Sequence, residues 1–322
     1  VLWVGTNQGL SRYNELLDNF DNFFHQANDG HSLKDNQIWD IYQDNTDTLW
    51  VSTKLGLHKY DPISDNFTQI KVRGITDKLS EIKTIFQDLK GNYWLGTYEN
   101  GIYIVNEDFS FAVSLQDKNK WDLQLPANSL RQLEIIDNNY WLATNNGVFV
   151  INQAYELLES YPFKDIKSPQ TNTIVKSIEN INNTHVWLAT TNGIRIINLL
   201  SGEISQYHAD DKITTSISHQ DNSSLLLDQN NKLWIGSKGG VNIFDPIANL
   251  IKSSSQINPR LTEAVESLIQ NEDKVWFSSN GQLYKLDNKN KTLKQVKTPL
   301  NTPIYQLLSN GKSILLLTEN DD

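Results

Sequence analysis

The sequence predicts an all-β fold, a β-propeller of seven four-stranded antiparallel blades, and three observations lead to it. A motif of tryptophan, an aliphatic residue, a small residue and Thr or Ser recurs about 39 to 47 residues apart, the period of a propeller blade or an α-solenoid repeat. A glycine follows nearly every copy after five to seven residues. The runs that come next, such as Ile102–Val105 and Val148–Ile151, are β-branched and aromatic, which favours strands over helices and therefore a propeller.

The tryptophans that anchor the motif are expected to be structural residues that pack between blades. They are Trp3, Trp50, Trp94, Trp141, Trp187, Trp234 and Trp276. An eighth, weaker copy of the motif has Leu315 in the tryptophan place.

Each period accommodates four strands, as the second copy illustrates. Strand A is Ile38–Tyr42, and a turn at Asp44–Asp47 follows it, because Asp and Asn side chains bond to the backbone in tight turns. Strand B carries Trp50, and Gly56 turns it into strand C. The stretch Asn66–Ile70 completes the blade as an outer edge strand D.

The number of blades is predicted to be seven, with eight blades or a truncated ring as alternatives. In the seven-bladed form, the strand near Ile304 completes the N-terminal blade; in the alternative, Ile304–Thr318 begins a further unit. We expect residues 1–322 to form one domain of a longer protein, with residues about 311–322 leading into the next domain.

Composition narrows the classes of function. The chain has no cysteine, which excludes disulfides, thiolate catalysis and cysteine metal sites. The net charge is −10, which argues against nucleic acid as a partner. The six histidines show no zinc-ligand spacing, so we expect no metal, no cofactor and no enzymatic activity. A propeller lyase or glycosidase would need carboxylates, for which Glu99, Glu134 and Glu266 are candidates by position alone.

The repeat resembles the two-component regulator propeller repeat. Asp88–Asn106 reads DLKGNYWLGTYENGIYIVN, and Asn28–Pro62 contains NDGHSLKDNQIWDIYQD. The first matches the family pattern D-x-x-G-N-x-W-x-G-T-x-x-G-[LIV]-x-x-[YF]-[DN] with one additional loop residue, and the second contains the N-x-[IV] entry to strand A that belongs to the same pattern.

This resemblance implies a function that composition does not show. Such propellers form the periplasmic sensor region of hybrid histidine kinases, or of related diguanylate cyclases, and detect glycan oligosaccharides to regulate transcription. The implied partners are an oligosaccharide, a neighbouring propeller and an immunoglobulin-like domain of the same chain, and a second copy in a homodimer. The alternative is a scaffold or dimerisation propeller that binds no ligand.

The candidate ligand-binding residues come from two places. The B–C loop that contains Tyr98 and Glu99 is one residue longer than its counterparts, and could stack on a sugar and bond its hydroxyls; the alternative is a solvated turn. The second place is the A strands, whose alignment gives one variable column that is expected near the axis of the propeller. That column is Trp39, Lys83, Arg131, Lys176, Ser223, Glu266 and Tyr305.

Three residues of this column are basic and come from consecutive blades. Lys83, Arg131 and Lys176 could bind a carboxylate or sulfate on an acidic sugar. Alternatively, they pair with Asp40, Glu134 or Glu179. Trp39 and Trp121 are the expected aromatic platforms, and the insertion around Trp121 could instead contact a partner or cap the domain.

Overall fold

The structure is a computed structural model of the 322-residue chain. It describes residues 2–14, 16–72, 81–98, 100–115, 129–163, 173–210, 216–245, 250–253, 264–271, 274–287, 292–297, 304–309 and 314–318. The chain divides into two compact units, Val1–Arg131 with Lys312–Asp322, and Gln132–Gly311. Among the described residues, no helix has the length and apolar character that a membrane span requires.

The first unit consists of short strands that follow the predicted A–B–C–D order. They are β1 (Trp3–Thr6), β2 (Gly9–Asn14), β3 (Asn19–Phe23), β4 (Ile38–Gln43), β5 (Leu49–Thr53), β6 (Gly56–Asp61), β7 (Asn66–Gln69), β8 (Ile82–Gln87), β9 (Tyr93–Thr97), β10 (Ile102–Val105), β11 (Ala112–Ser114) and, from the C-terminal segment, β29 (Ile314–Thr318). Two complete blades have the sheet orders β4-β5-β6-β7 and β11-β10-β9-β8.

The second unit contains four blades of the same kind. Its first strand begins at Leu130, two residues before the unit boundary at Gln132. Its strands are β12 (Leu130–Ile136), β13 (Asn139–Thr144), β14 (Gly147–Ile151), β15 (Leu157–Tyr161), β16 (Val175–Ile181), β17 (His185–Thr190), β18 (Gly193–Asn198), β19 (Ile204–Tyr207), β20 (Asn222–Leu227), β21 (Leu233–Ser237), β22 (Gly240–Asp245), β23 (Leu250–Ser253), β24 (Val265–Asn271), β25 (Lys274–Ser279), β26 (Gln282–Asp287), β27 (Leu293–Val296) and β28 (Ile304–Ser309). The blades are β12–β15, β16–β19, β20–β23 and β24–β27, each paired in chain order.

The remaining sheet resolves the blade count in favour of seven. In the first unit, β29 pairs in parallel with β1, so that Leu315 lies opposite Trp3, and the order continues β1-β2-β3. The eighth copy of the motif therefore joins the first blade instead of starting another. Over the described residues, the prediction of a seven-bladed all-β propeller is confirmed.

The repeating tryptophans lie in the hydrophobic core, with one exception. Six of the seven are at most 6% exposed, whereas Trp276 is half-buried and has the Lys285 ammonium 5.1 Å from its ring centroid. Aspartates of the preceding turns hold several indoles in place: Asp44 Oδ2 accepts the Trp50 Nε1–H at 2.7 Å, and Asp228 Oδ2 accepts that of Trp234 at 2.9 Å. These turn aspartates are structural.

Polar side chains of the A strands join neighbouring blades within each unit. Asp40 Oδ2 accepts the backbone N–H of Ile85 at 2.8 Å in the first unit. In the second unit, Gln132 Oε1 accepts the N–H of Ile178 at 2.9 Å, and Ser267 Oγ accepts that of Leu307 at 2.9 Å. Asp40, Gln132 and Ser267 occupy the same position of their A strands. Buried backbone N–H groups need hydrogen-bond acceptors, so this position requires a polar residue, although which polar residue it is differs between blades.

Candidate functional site

The A strands contain a β-bulge that places the variable column. In β4, Ile38 pairs with Thr53 and Asp40 pairs with Ser52, so Trp39 has no cross-strand partner. The same interruption leaves out one residue in four other blades: Lys83, Lys176, Ser223 and Glu266. A bulge redirects a side chain away from the regular alternation of the strand, and these five bulged residues all belong to the predicted column.

The B–C loops are held next to these bulges by a recurring main-chain hydrogen bond. Tyr98 N donates to Glu81 O at 2.9 Å, and Lys54 N donates to Gln37 O at 3.1 Å. Thr191, Lys238 and Asn280 make the equivalent bond in the second unit. This bond places Tyr98 at a position equivalent to loop residues of other blades, with its side chain 54% exposed.

Four of the predicted ligand-binding residues that the structure describes belong to the first unit, and three of them are in mutual contact. The ring centroids of Trp39 and Tyr98 are 6.2 Å apart with an interplanar angle of 63°. The Lys83 Nζ lies 3.5 Å from the centroid of Trp39 and 5.1 Å from that of Tyr98. The ammonium therefore occupies the corner between two aromatic rings, within the range of cation–π attraction.

Arg131 is the fourth residue of this group. Its side chain is exposed to solvent, yet enough protein surrounds the guanidinium for desolvation to lower its pKa, while the nearby Tyr98 hydroxyl acts in the opposite direction. Trp39, Lys83, Tyr98 and Arg131 are called the aromatic–cationic site below.

Lys176, the third predicted basic residue, lies in the second unit and has a different environment. Its Nζ forms an ion pair with Asp221 Oδ1 at 2.6 Å, and Lys238 Nζ approaches Asp221 Oδ2 at 3.0 Å. Burial alone would raise the pKa of Asp221, but the two ammonium groups hold it below its ordinary value. The sequence did not point to Asp221 as the partner, because nothing in its local pattern distinguishes it from other loop aspartates.

Four buried or half-buried carboxylic acids have raised pKa values. Burial raises the pKa of Asp40 to about 7, although it accepts backbone N–H groups of Ile85 and Ile41. In the second unit, burial raises the pKa of Glu134, Glu179 and Glu266 to about 7, and the charge of Glu134 adds to the effect on Glu179. The sequence marked Glu134 and Glu266 by position, and gave no sign that Glu134 and Glu179 are neighbours.

Three predicted residues are not placed as side chains. Glu99 and Trp121 lie outside the described residues, and Tyr305 is placed by its backbone on β28. Among the described residues, no group of three or more His, Cys, Asp or Glu is arranged to hold a metal ion.

Two family models match the chain. The model described as “Domain of unknown function (DUF5074)” matches residues 100–315, and the model described as “Two component regulator propeller” matches residues 32–54. A search of curated proteins gives no significant match.

Solved structures share the fold at low identity. The extracellular domain of the hybrid two component system BT3049 from B. thetaiotaomicron is 16% identical with a TM-score of 0.57, over 98% of this chain and 54% of that one. Virginiamycin B lyase from Staphylococcus aureus is 10% identical with a TM-score of 0.62, over 87% and 91% of the two chains. The computationally designed Ika8 protein is 12% identical with a TM-score of 0.63, over 96% and 87%. The chain thus spans about half the length of the BT3049 domain, and at these identities the likeness shows the fold alone.

Proposed function

This chain belongs to the family described as “Domain of unknown function (DUF5074)” and carries a two component regulator propeller repeat, and from that premise we propose that it is the extracytoplasmic ligand-sensing propeller of a membrane-bound two-component signalling protein. It detects a glycan oligosaccharide and thereby regulates transcription. Its other partners are a neighbouring propeller and an immunoglobulin-like domain of the same protein, and a second copy in a homodimer. The location that goes with this role is the periplasm.

The observation that carries the proposal is the aromatic–cationic site. It combines two aromatic rings at 63° to each other with the charged groups of Lys83 and Arg131, at positions where the repeat is otherwise variable. Sugar rings stack on aromatic faces, and charged side chains that form directed hydrogen bonds supply orientation. The propeller likeness to the BT3049 extracellular domain is consistent with this role.

Signalling would proceed by reorientation of whole domains. Blades joined by buried inter-blade hydrogen bonds, such as that of Asp40 to Ile85, resist local refolding. A ligand shifts the equilibrium between signalling states only if it binds them with different affinity.

A scaffold or dimerisation role is the second candidate, and one observation favours it. The outer strands β15 and β19 expose apolar side chains, with Leu158 50% and Ile204 42% exposed. Exposed apolar surface of this kind can mark a protein interface. The enzymatic alternative has no comparable support, since the likeness to virginiamycin B lyase extends to the fold alone.

A glycan array followed by calorimetry tests the proposal, with Trp39→Ala and Arg131→Ala as site variants. Lys59→Ala is the control, because Lys59 lies 5.9 Å from the Trp50 ring centroid and outside the site. Binding that both site variants lose and the control keeps supports sensing at this site. No glycan binding by the full chain, together with self-association that Leu158→Ser abolishes in sedimentation experiments, supports the scaffold role instead.

A further inference from the structure

Trp39 and Tyr98 form an aromatic corner whose interior is already occupied by a side chain of the same protein. Their ring centroids lie 6.2 Å apart, and the Lys83 ammonium stands 3.5 Å from the centroid of Trp39. That distance places the charge directly over the indole. A sugar ring that stacks on this face of Trp39 must therefore displace the ammonium.

The backbone fixes both partners of this contact. Trp39 and Lys83 are each the bulged residue of their strand, between Ile38 and Asp40 in β4 and between Ile82 and Thr84 in β8. The side chain of Lys83 can rotate about four flexible bonds, whereas the indole has two. Of the two side chains, Lys83 is therefore the one that can move aside by rotation, and Trp39 remains as a platform.

The site carries more positive charge than Lys83 alone. Arg131, in the described part of the chain, takes no part in the ion pairs formed by Arg12, Lys176, Lys232 and Lys238. Lys176 in the second unit shows the contrasting arrangement, because Asp221 compensates its charge at 2.6 Å. An acidic ligand would supply to Arg131 the counter-charge that Asp221 supplies to Lys176.

We propose that Lys83 is the residue that determines ligand specificity at the aromatic–cationic site, and that the ligand class it selects is an oligosaccharide with a carboxylate or sulfate group. The acidic group draws the ammonium from the indole face into an ion pair, and a sugar ring stacks on Trp39 in its place. Arg131 binds the same acidic group or its neighbour. A neutral glycan would break the cation–π contact without forming an ion pair. This inference rests on the proposed function.

The test compares three classes of glycan on an array: neutral, uronic-acid-containing and sulfated. The best acidic ligand is then measured by calorimetry beside its uncharged counterpart, the methyl ester of a uronate or the desulfated form of a sulfated sugar. The variants are Lys83→Met, which keeps an unbranched chain without charge, and Lys83→Arg, which keeps the charge. Lys59→Met is the matched control, since it removes another lysine that lies over a tryptophan ring.

We expect the wild type to prefer the acidic ligand. Lys83→Met should weaken its binding about 10- to 100-fold, the range of a hydrogen bond to a charged group, and strengthen binding of the uncharged counterpart about 2- to 30-fold, the range of a cation–π contact. Lys83→Arg should keep the acidic preference, and Lys59→Met should change neither affinity.

Binding of neutral and acidic glycans with equal affinity, or an unchanged preference in Lys83→Met, would overturn the inference and leave glycan sensing intact. Absence of binding to every class would overturn both the inference and the sensing role. Thermal unfolding of each variant establishes that a lost affinity does not come from a lost fold.

Discussion

The pair Glu134 and Glu179 is predicted to make this protein less stable as the pH rises from about 4.5 to about 7. Burial, and after it the charge of the neighbouring Glu134, raise the pKa of Glu179 from 4.5 to about 7. An acid whose pKa is higher in the folded state favours folding most when it is protonated. Its contribution is therefore complete below about pH 4.5, diminishes up to about pH 7, and is absent above it.

The size of the effect follows from the shift. At about 1.4 kcal/mol per pKa unit, a rise from 4.5 to about 7 corresponds to about 3 kcal/mol for Glu179. Glu179→Gln removes this dependence while its amide oxygen can still accept the backbone N–H of Leu227. We therefore expect the wild type to lose about 3 kcal/mol more than the variant between pH 4.5 and 8. The two proteins should differ least at the acidic end.

The assay is urea unfolding followed by tryptophan fluorescence at half-unit steps between pH 4.5 and 8. The exposed Glu203 supplies the control variant Glu203→Gln, whose curve should run parallel to that of the wild type. Parallel curves for the wild type and Glu179→Gln across the whole range would refute the argument, because they would mean that Glu179 titrates alike in the folded and unfolded states.

Two further predictions concern the fold, and both are measured as the free energy of unfolding in urea. Gly147→Ala should destabilise the protein by about 2–5 kcal/mol, because Gly147 has φ +102° and a Cβ would collide with the backbone oxygen of Tyr161. In the control Gly30→Ala, the new Cβ has nothing within 4 Å, so the free energy of unfolding should change by no more than about 0.5 kcal/mol. Equal losses in the two variants would contradict this reasoning. Asp44→Asn should cost about 2–4 kcal/mol, because the carboxylate accepts the Trp50 Nε1–H at 2.7 Å and an amide nitrogen cannot; a change below about 0.5 kcal/mol would show that the turn holds without it.

The repeat was predictable because its determinants are local. A tryptophan strand, a Gly turn and an Asp turn each require particular residues within about ten positions, and Trp50 with Gly56 and Asp44 shows all three. The same logic explains why the eighth copy left eight blades as an alternative to the predicted seven. Leu315 has the local pattern of a B strand, but its parallel pairing with Trp3 depends on residues more than 300 positions away.

The candidate site was predictable as a set of positions and not as a geometry. Aligning the repeats identified Trp39 and Lys83, but the bulges that redirect them arise from the register between two strands, which a single strand does not encode. The contact between the Lys83 ammonium and the Trp39 ring likewise depends on how two blades pack. The pairing of Lys176 with Asp221 was unpredictable for the same reason.

Variability along the repeat is by itself weak evidence for ligand binding, as the polar column of the A strands shows. Asp40 and Gln132 differ in charge and size, yet both accept a backbone N–H of the next blade. In the bulged column, Ser223 Oγ likewise donates to the backbone oxygen of Val265 at 2.6 Å. A variable residue is a better candidate for ligand binding when it contacts other side chains. A variable residue that only forms a hydrogen bond to a backbone group of the next blade has a structural role. Lys83 over the face of Trp39 meets this criterion, which is why the aromatic–cationic site, and not the whole column, carries the proposed function.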